Sequence, residues 1–222
     1  MPQDIFDKDS HDLKNTLLQE ASRLTDKIDE LERTSEQHTA YYAYLKDFLV
    51  NSGVLCDDVL QAVHNDVVLL GVIGTRVLLE DTINAHYLES KTNVDERIAV
   101  AVDWFRLSND PKAYKNKLDN KSVAQRAEDA GKDTKALHDS EYADFCNYTH
   151  SSAQRSILNL PPQRVIIAQK AVVATLKSYA NIVACLARIL GGAIPQNITD
   201  NTTAYFDKYR QSVTEAALPP LT

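Results

Sequence analysis

The sequence predicts an all-α protein: a single-domain bundle of seven or eight mostly antiparallel helices around a central apolar helix near residues 163–190. Three observations carry this. Apolar residues recur at steps of three and four along almost the whole chain, which is the repeat of one helix face. No run of alternating residues closed by hairpin-turn dipeptides appears. With 6 Gly and 7 Pro in 222 residues, tight turns are too few for a β-sandwich or a turn-rich α/β fold.

The first helix is expected from about Ser10, with Asp9 or Ser10 as N-cap, after a flexible N-terminus over residues 1–9. Its apolar residues Leu13, Leu17, Ala21, Leu24, Ile28 and Leu31 form a narrow seam, and Lys14, Glu20, Arg23, Asp26, Lys27 and Glu30 fall outside it. A seam of this width packs against one partner, within the chain or in a dimer, and suggests an intermolecular contact, most simply an isologous dimer. The pattern weakens at Thr34-Ser35. It resumes as an aromatic face (Tyr41, Tyr42, Tyr44, Leu45, Phe48, Leu49) that Asn51-Ser52-Gly53 is expected to close.

A third helix is predicted from Val54 or Cys56 to Glu89, with Asp57 and Asp58 at the positive end of its dipole. Gly71 and Gly74 lie inside it, each costing about 1 kcal/mol relative to Ala, so they mark close packing or a break. Asn93 and Glu96 make a capping pair for a helix to about Leu107. Asp110-Pro111 opens a polar arm, residues 111–131, expected to protrude or move because its apolar anchors are few. A sixth helix is expected over Asp139 to Leu158. Pro161-Pro162 stops it and starts the central helix, which Gly191-Gly192 ends. A last helix over Thr199 to Ala217 leaves 218–222 as a tail within a bundle domain of 10–217.

Apolar residues make up 44% and charged residues 25%, the composition of a globular chain able to bury a core without disulfides or metals. The formal charge of −7 repels phosphate backbones, and the densest basic stretch (Lys112, Lys115, Lys117, Lys121, Arg126) reads as a solvated helix face. Cys56, Cys146 and Cys185 are odd in number and widely spaced, each in an apolar helical pattern, which points to a reducing cytoplasm. The polar, acidic start of the chain does not read as a signal peptide. Arg164, Lys170, Lys177 and Arg188 interrupt the apolar stretch over 164–190, so it reads as a buried core helix and no membrane is expected.

Phosphate loops of the GxxxxGK type, GxGxxG, HExxH and GxSxG are absent. No Glu is followed three residues later by His, as a di-iron bundle requires, so neither metal nor cofactor is expected. His138 and Glu141 share a face, but capping by Asp139 or Ser140 is the better reading there. Arg33 and His38 have the Arg-to-His spacing of helical ribonucleases of the HEPN class. There His serves as general acid or base, and Arg steadies the phosphorane charge. About one such match is expected by chance, and this one sits at a helix junction.

Two other segments carry more. Arg76 and Glu80 are one turn apart and can pair on a face with apolar neighbours. Tyr142, Cys146 and His150 share a face by their spacing of four. A buried Tyr and His need polar partners, and Arg76 and Glu80 can supply them. The result is either a buried hydrogen-bond network that sets the register of two core helices, or a ligand or catalytic pocket.

These segments, residues 56–90 and 138–190, resemble the paired helices of a broad family of bacterial all-helical proteins. That family carries an Arg-x-x-x-Glu helix ending in Tyr-Leu or Tyr-Ile and a later Tyr-x-x-x-Ser-x-x-x-His helix, and some members are HEPN-like. Here Cys146 stands in place of the Ser, and Ser151 follows the His where Pro is common. The resemblance implies a polar cluster of Arg76, Glu80, Tyr142 and His150 and implies no particular activity.

Two function classes follow. The first is a non-enzymatic helical interaction or structural protein, working as a homodimer or with a protein partner through the first-helix seam. The second is a HEPN-like ribonuclease or toxin-type enzyme of a bacterial defence system. It would use His150 as the catalytic group with Arg155 or Arg76 on the phosphate, and nucleic acid would enter only as RNA substrate. His150 precedes Arg155, the reverse of that class's usual order. A third, minor class is a small-ligand pocket between the third, sixth and seventh helices.

Overall fold

The computed structural model describes residues 8–109, 121–150, 156 and 158–215, and every regular element among them is helical. Eight rods result: α1 (Lys8–Asp29), α2 (Glu36–His64), α3 (Val68–Glu89), α4 (Val94–Asn109), α5 (Val123–Ala130), α6 (132–150), α7 (Pro161–Ile189) and α8 (Gln196–Glu215). The expectations for residues 1–7, 111–120, Arg155 and the 218–222 tail lie outside the described residues.

α7 is the central helix, as its composition requires. Two prolines open it, where a missing N–H costs nothing, and Gly191 at φ 66° closes it. By length and composition it is apolar enough to cross a membrane, and 61% of its most apolar window is buried within the bundle. Its most extensive partner is α3. Small hydroxyl residues line that contact: Thr75 Oγ1 lies 3.0 Å from Thr175 Oγ1, and Thr82 Oγ1 donates to the Ser178 carbonyl at 3.2 Å. The pairing order Thr75–Thr175, Thr82–Ser178, His86–Cys185 and Glu89–Arg188 means that α3 and α7 run parallel. The hairpin of α2 and α3 is antiparallel.

The first-helix seam faces its own bundle. Leu13, Leu17, Ala21, Leu24 and Ile28 are buried against α2, α7 and α8, and Lys27 donates to the Leu190 carbonyl at 2.9 Å. Of the two alternatives for the seam, the contact within the chain is the one present: periodicity reveals that a stripe is covered, not what covers it. Ser10 is not an N-cap either. The helix already includes Lys8 and Asp9, and the buried Ser10 hydroxyl meets the Tyr205 hydroxyl at 2.9 Å.

Gly53 does not end α2, which runs on to His64. A glycine stops a helix when it takes a left-handed φ, and Gly53 keeps a helical one. It is glycine because a Cβ there would stand 2.7 Å from the Tyr179 hydroxyl. The true break is Asn65–Val67, where Asp66 takes φ 63°, a conformation open to Asp and Asn among non-glycine residues. Gly71 and Gly74 then serve close packing: a Cβ at either would stand 2.4 Å or 2.3 Å from a methyl of Val63 or Val59.

The polar arm is partly a packed helix. α5 opens with a Ser122/Gln125 capping box and packs on α3, burying Arg126 and Ala127. α6 begins well before Asp139. It is α-helical over Lys132–Leu137, π-helical over His138–Tyr142 and α-helical again over Ala143–His150. Asp139 and Ser140 therefore sit inside a rod and cap nothing. Asp139 pairs with Lys135 at 2.7 Å, and Ser140 bonds back to the Ala136 carbonyl at 2.6 Å.

Candidate functional site

α3 supplies the first two groups. Arg76 and Glu80 project from the same side one turn apart, with Nη2 to Oε2 at 3.8 Å. α6 supplies the next two. Its π-helical turn inserts one residue, which rotates everything downstream by about 100° relative to a regular helix. At the end of that turn the Tyr142 hydroxyl donates to Glu80 Oε2 at 3.4 Å, and downstream of it His150 Nε2 lies 3.2 Å from Arg76 Nη1. His138 stacks on the Tyr142 ring at 5.4 Å between centroids. All four residues expected from the spacing therefore meet. Cys146, between Tyr142 and His150, is half-buried beside the phenol.

α5 adds a fifth group that the sequence reading assigned to a solvated face. Arg126 has only 3% of its side chain exposed, and its Nη2 donates to Glu80 Oε1 at 3.3 Å. Its Nη1 donates to the Lys121 carbonyl at 3.1 Å. The signal was present in the sequence: Val123, Arg126, Ala127 and Ala130 fall at the spacing of an inward helix stripe.

Glu80 is thus a carboxylate shared by two guanidiniums and a phenol, with 18% of its side chain exposed. The cluster is closed at the Arg126 end and open at the His150 end. Burial pushes the Tyr142 phenol above its ordinary range, and the Glu80 charge adds to this, so Tyr142 stays a donor. Neighbouring Asp81 is pushed up to about 7 by burial and by Glu80, against the pull of Arg126. Neither of two surface clefts is lined by Arg76, Glu80, Tyr142 or His150. One, of ≈540 Å³, lies between α1, α2 and α7 beside Gly53 and Tyr179. The other, of ≈460 Å³, lies between α6, α7 and α8, walled by Phe145, Tyr148, Phe206 and Tyr209.

The other sequence candidates do not join this cluster. Arg33 pairs with Asp29 at 3.5 Å, and His38 bonds Thr34 and Ser35 at the α2 N-terminus. Glu141 pairs with Lys177 rather than sharing a ligand with His138. A second polar cluster went unseen in the sequence: His86 and Glu89 at the end of α3 meet Cys185 and Arg188 at the end of α7.

Comparison with protein-family models, curated proteins and solved structures finds no match for this chain.

Proposed function

We propose that this chain is a helical interaction protein that works as a homo-oligomer or with a protein partner. The outer face of α3, rather than the α1 seam, is its contact surface. The observation that carries this is a run of exposed apolar residues, Leu69, Leu70, Ile73 and Val77, on one side of α3, with Val67 just ahead of the helix, Leu70 at 58% and Ile73 at 41% exposure. Large apolar side chains grouped on one surface, rather than scattered, mark contact sites. The free cysteines, two of them fully buried, support a reducing cytoplasmic setting.

Light scattering on the full chain at micromolar concentration tests self-association. A dimer mass that falls to monomer in Leu70→Glu/Ile73→Glu is the expected result. A strict monomer for the wild type overturns it.

One observation favours the ribonuclease reading as a second possibility: an exposed imidazole, His150, lies 3.2 Å from a guanidinium, Arg76, at the open end of the cluster. Such a pair has the parts for moving a proton and holding a phosphate. Against it, Glu80 draws Arg76 inward, and the overall charge is −7. RNA cleavage lost in His150→Ala supports this reading, and equal cleavage or none in both proteins removes it.

A further inference from the structure

Because α3 and α7 run parallel, their last turns lie side by side, and each ends in carbonyls that carry partial negative charge. A cation is favoured where two such ends meet. Four side chains from these turns converge there. His86 Nδ1 lies 3.5 Å from Cys185 Sγ and 3.9 Å from Glu89 Oε2, and one ligand atom from each of the three lies within 4.8 Å of the others. Around a tetrahedral zinc ion, with Zn–N near 2.0 Å and Zn–S near 2.3 Å, neighbouring ligand atoms stand about 3.5 Å apart. The His86–Cys185 separation already has that value, and Glu89 needs a small side-chain movement.

We propose that His86, Glu89 and Cys185 form a binding site for a zinc-class divalent metal ion, with the fourth coordination position going to water. The donor set decides the ion. One imidazole nitrogen, one thiolate and one carboxylate suit zinc and its transition-metal neighbours, whereas magnesium and calcium take oxygen ligands. Access is one-sided. Cys185 is fully buried and forms the inner wall, while His86 and Glu89 have 27% and 26% of their side chains exposed and face the entry.

Arg188 is the competitor. It donates to both Glu89 oxygens and sets Nη2 3.4 Å from Cys185 Sγ, so it supplies the positive charge that a metal would bring. Its side chain is nearly half in water and free to swing outward. Loading is then an exchange: the ion forms bonds to Sγ, Nδ1 and a carboxylate oxygen, the Cys185 S–H bond breaks, and its proton leaves to solvent. Burial lowers the His86 pKa, with Arg188 reinforcing it and Glu89 and Asp133 opposing. Burial and Glu89 raise the Cys185 thiol in the metal-free chain.

The test uses the reduced full chain and cobalt(II) as the probe. One equivalent is expected to give a thiolate-to-cobalt charge-transfer band with the visible bands of four-coordinate cobalt, all displaced by zinc. Cys185→Ser and His86→Gln abolish the band, Cys146→Ser keeps it, and Arg188→Gln binds cobalt severalfold more tightly. A folded wild type that takes up cobalt without that band overturns the site, as does a band that survives Cys185→Ser. If Cys185→Ser does not fold by circular dichroism, the partly exposed His86→Gln and Glu89→Gln decide instead, and unchanged cobalt affinity in both overturns the proposal.

Discussion

α3 carries two polar clusters built on the same one-turn spacing, and they differ in what balances their charge. In the middle of the helix, Glu80 stands between Arg76 and Arg126, and the inner guanidinium is almost entirely buried. At the end of the helix, Glu89 faces a single guanidinium, Arg188, that reaches into water. The lesson is that spacing gathers groups, while burial of the counter-charge decides what the gathering can do. A buried counter-charge cannot leave, so the middle cluster, which joins α3, α5 and α6, is expected to lock them in register. A removable counter-charge leaves its carboxylate available.

The strongest way to break this contrast is Glu80→Ala. Two guanidiniums lose their shared carboxylate, and Arg126 has almost no water to turn to. The expected loss is about 3 kcal/mol, as for a buried pair with one partner removed, read from urea unfolding. A loss below about 1 kcal/mol would mean that the middle cluster locks nothing.

Asp81 sharpens the contrast by pH. Its folded pKa of about 7 lies above the ordinary carboxyl value, so the native state binds this proton more tightly than the unfolded chain. Its stabilising contribution is full below the unfolded pKa of about 4 and is lost as pH rises through about 7. Between pH 8 and pH 6 the wild type should gain about 1 kcal/mol from this group. Asp81→Asn should remove that slope and melt higher than wild type at pH 8. Equal slopes in the two proteins would place the titration elsewhere.

Arg188→Gln in metal-free buffer should cost less than about 1 kcal/mol, because a half-exposed pair contributes little. A loss as large as that of Glu80→Ala would make the end cluster a second lock. The smallest effect belongs to His150→Ala. This exposed side chain at the open rim should change stability by no more than about 0.5 kcal/mol in chemical denaturation.

What the sequence disclosed follows the range of the physics involved. Helical periodicity is local, so the all-α class, the central apolar helix and the meeting of Arg76, Glu80, Tyr142 and His150 were all legible. Arg126 lies on a legible stripe with Val123, Ala127 and Ala130, but its burial comes from α5 lying on α3, a contact that local periodicity does not carry. Cys185 could not be tied to His86, since 99 residues separate them and only the parallel packing joins them. The α2 boundary was misread for a different reason. Glycine ends helices and also permits close contact, and at Gly53 the Tyr179 hydroxyl, far off in sequence, selects the second role.

The parallel pairing of α3 and α7 also bears on how the protein is made. Thr75 and Thr175 touch across a hundred residues, so synthesis delivers α3 long before its main cover exists. Domains emerge N-terminus first, and closing so long a loop carries an entropic cost that only the finished contact repays. Until Ile189 has cleared the ribosome, the side of α3 that faces α7 stays bare, which makes a nascent chain a substrate for chaperones and proteases. A message truncated before α7 yields a polypeptide without the central helix of its core, however many of its earlier helices form.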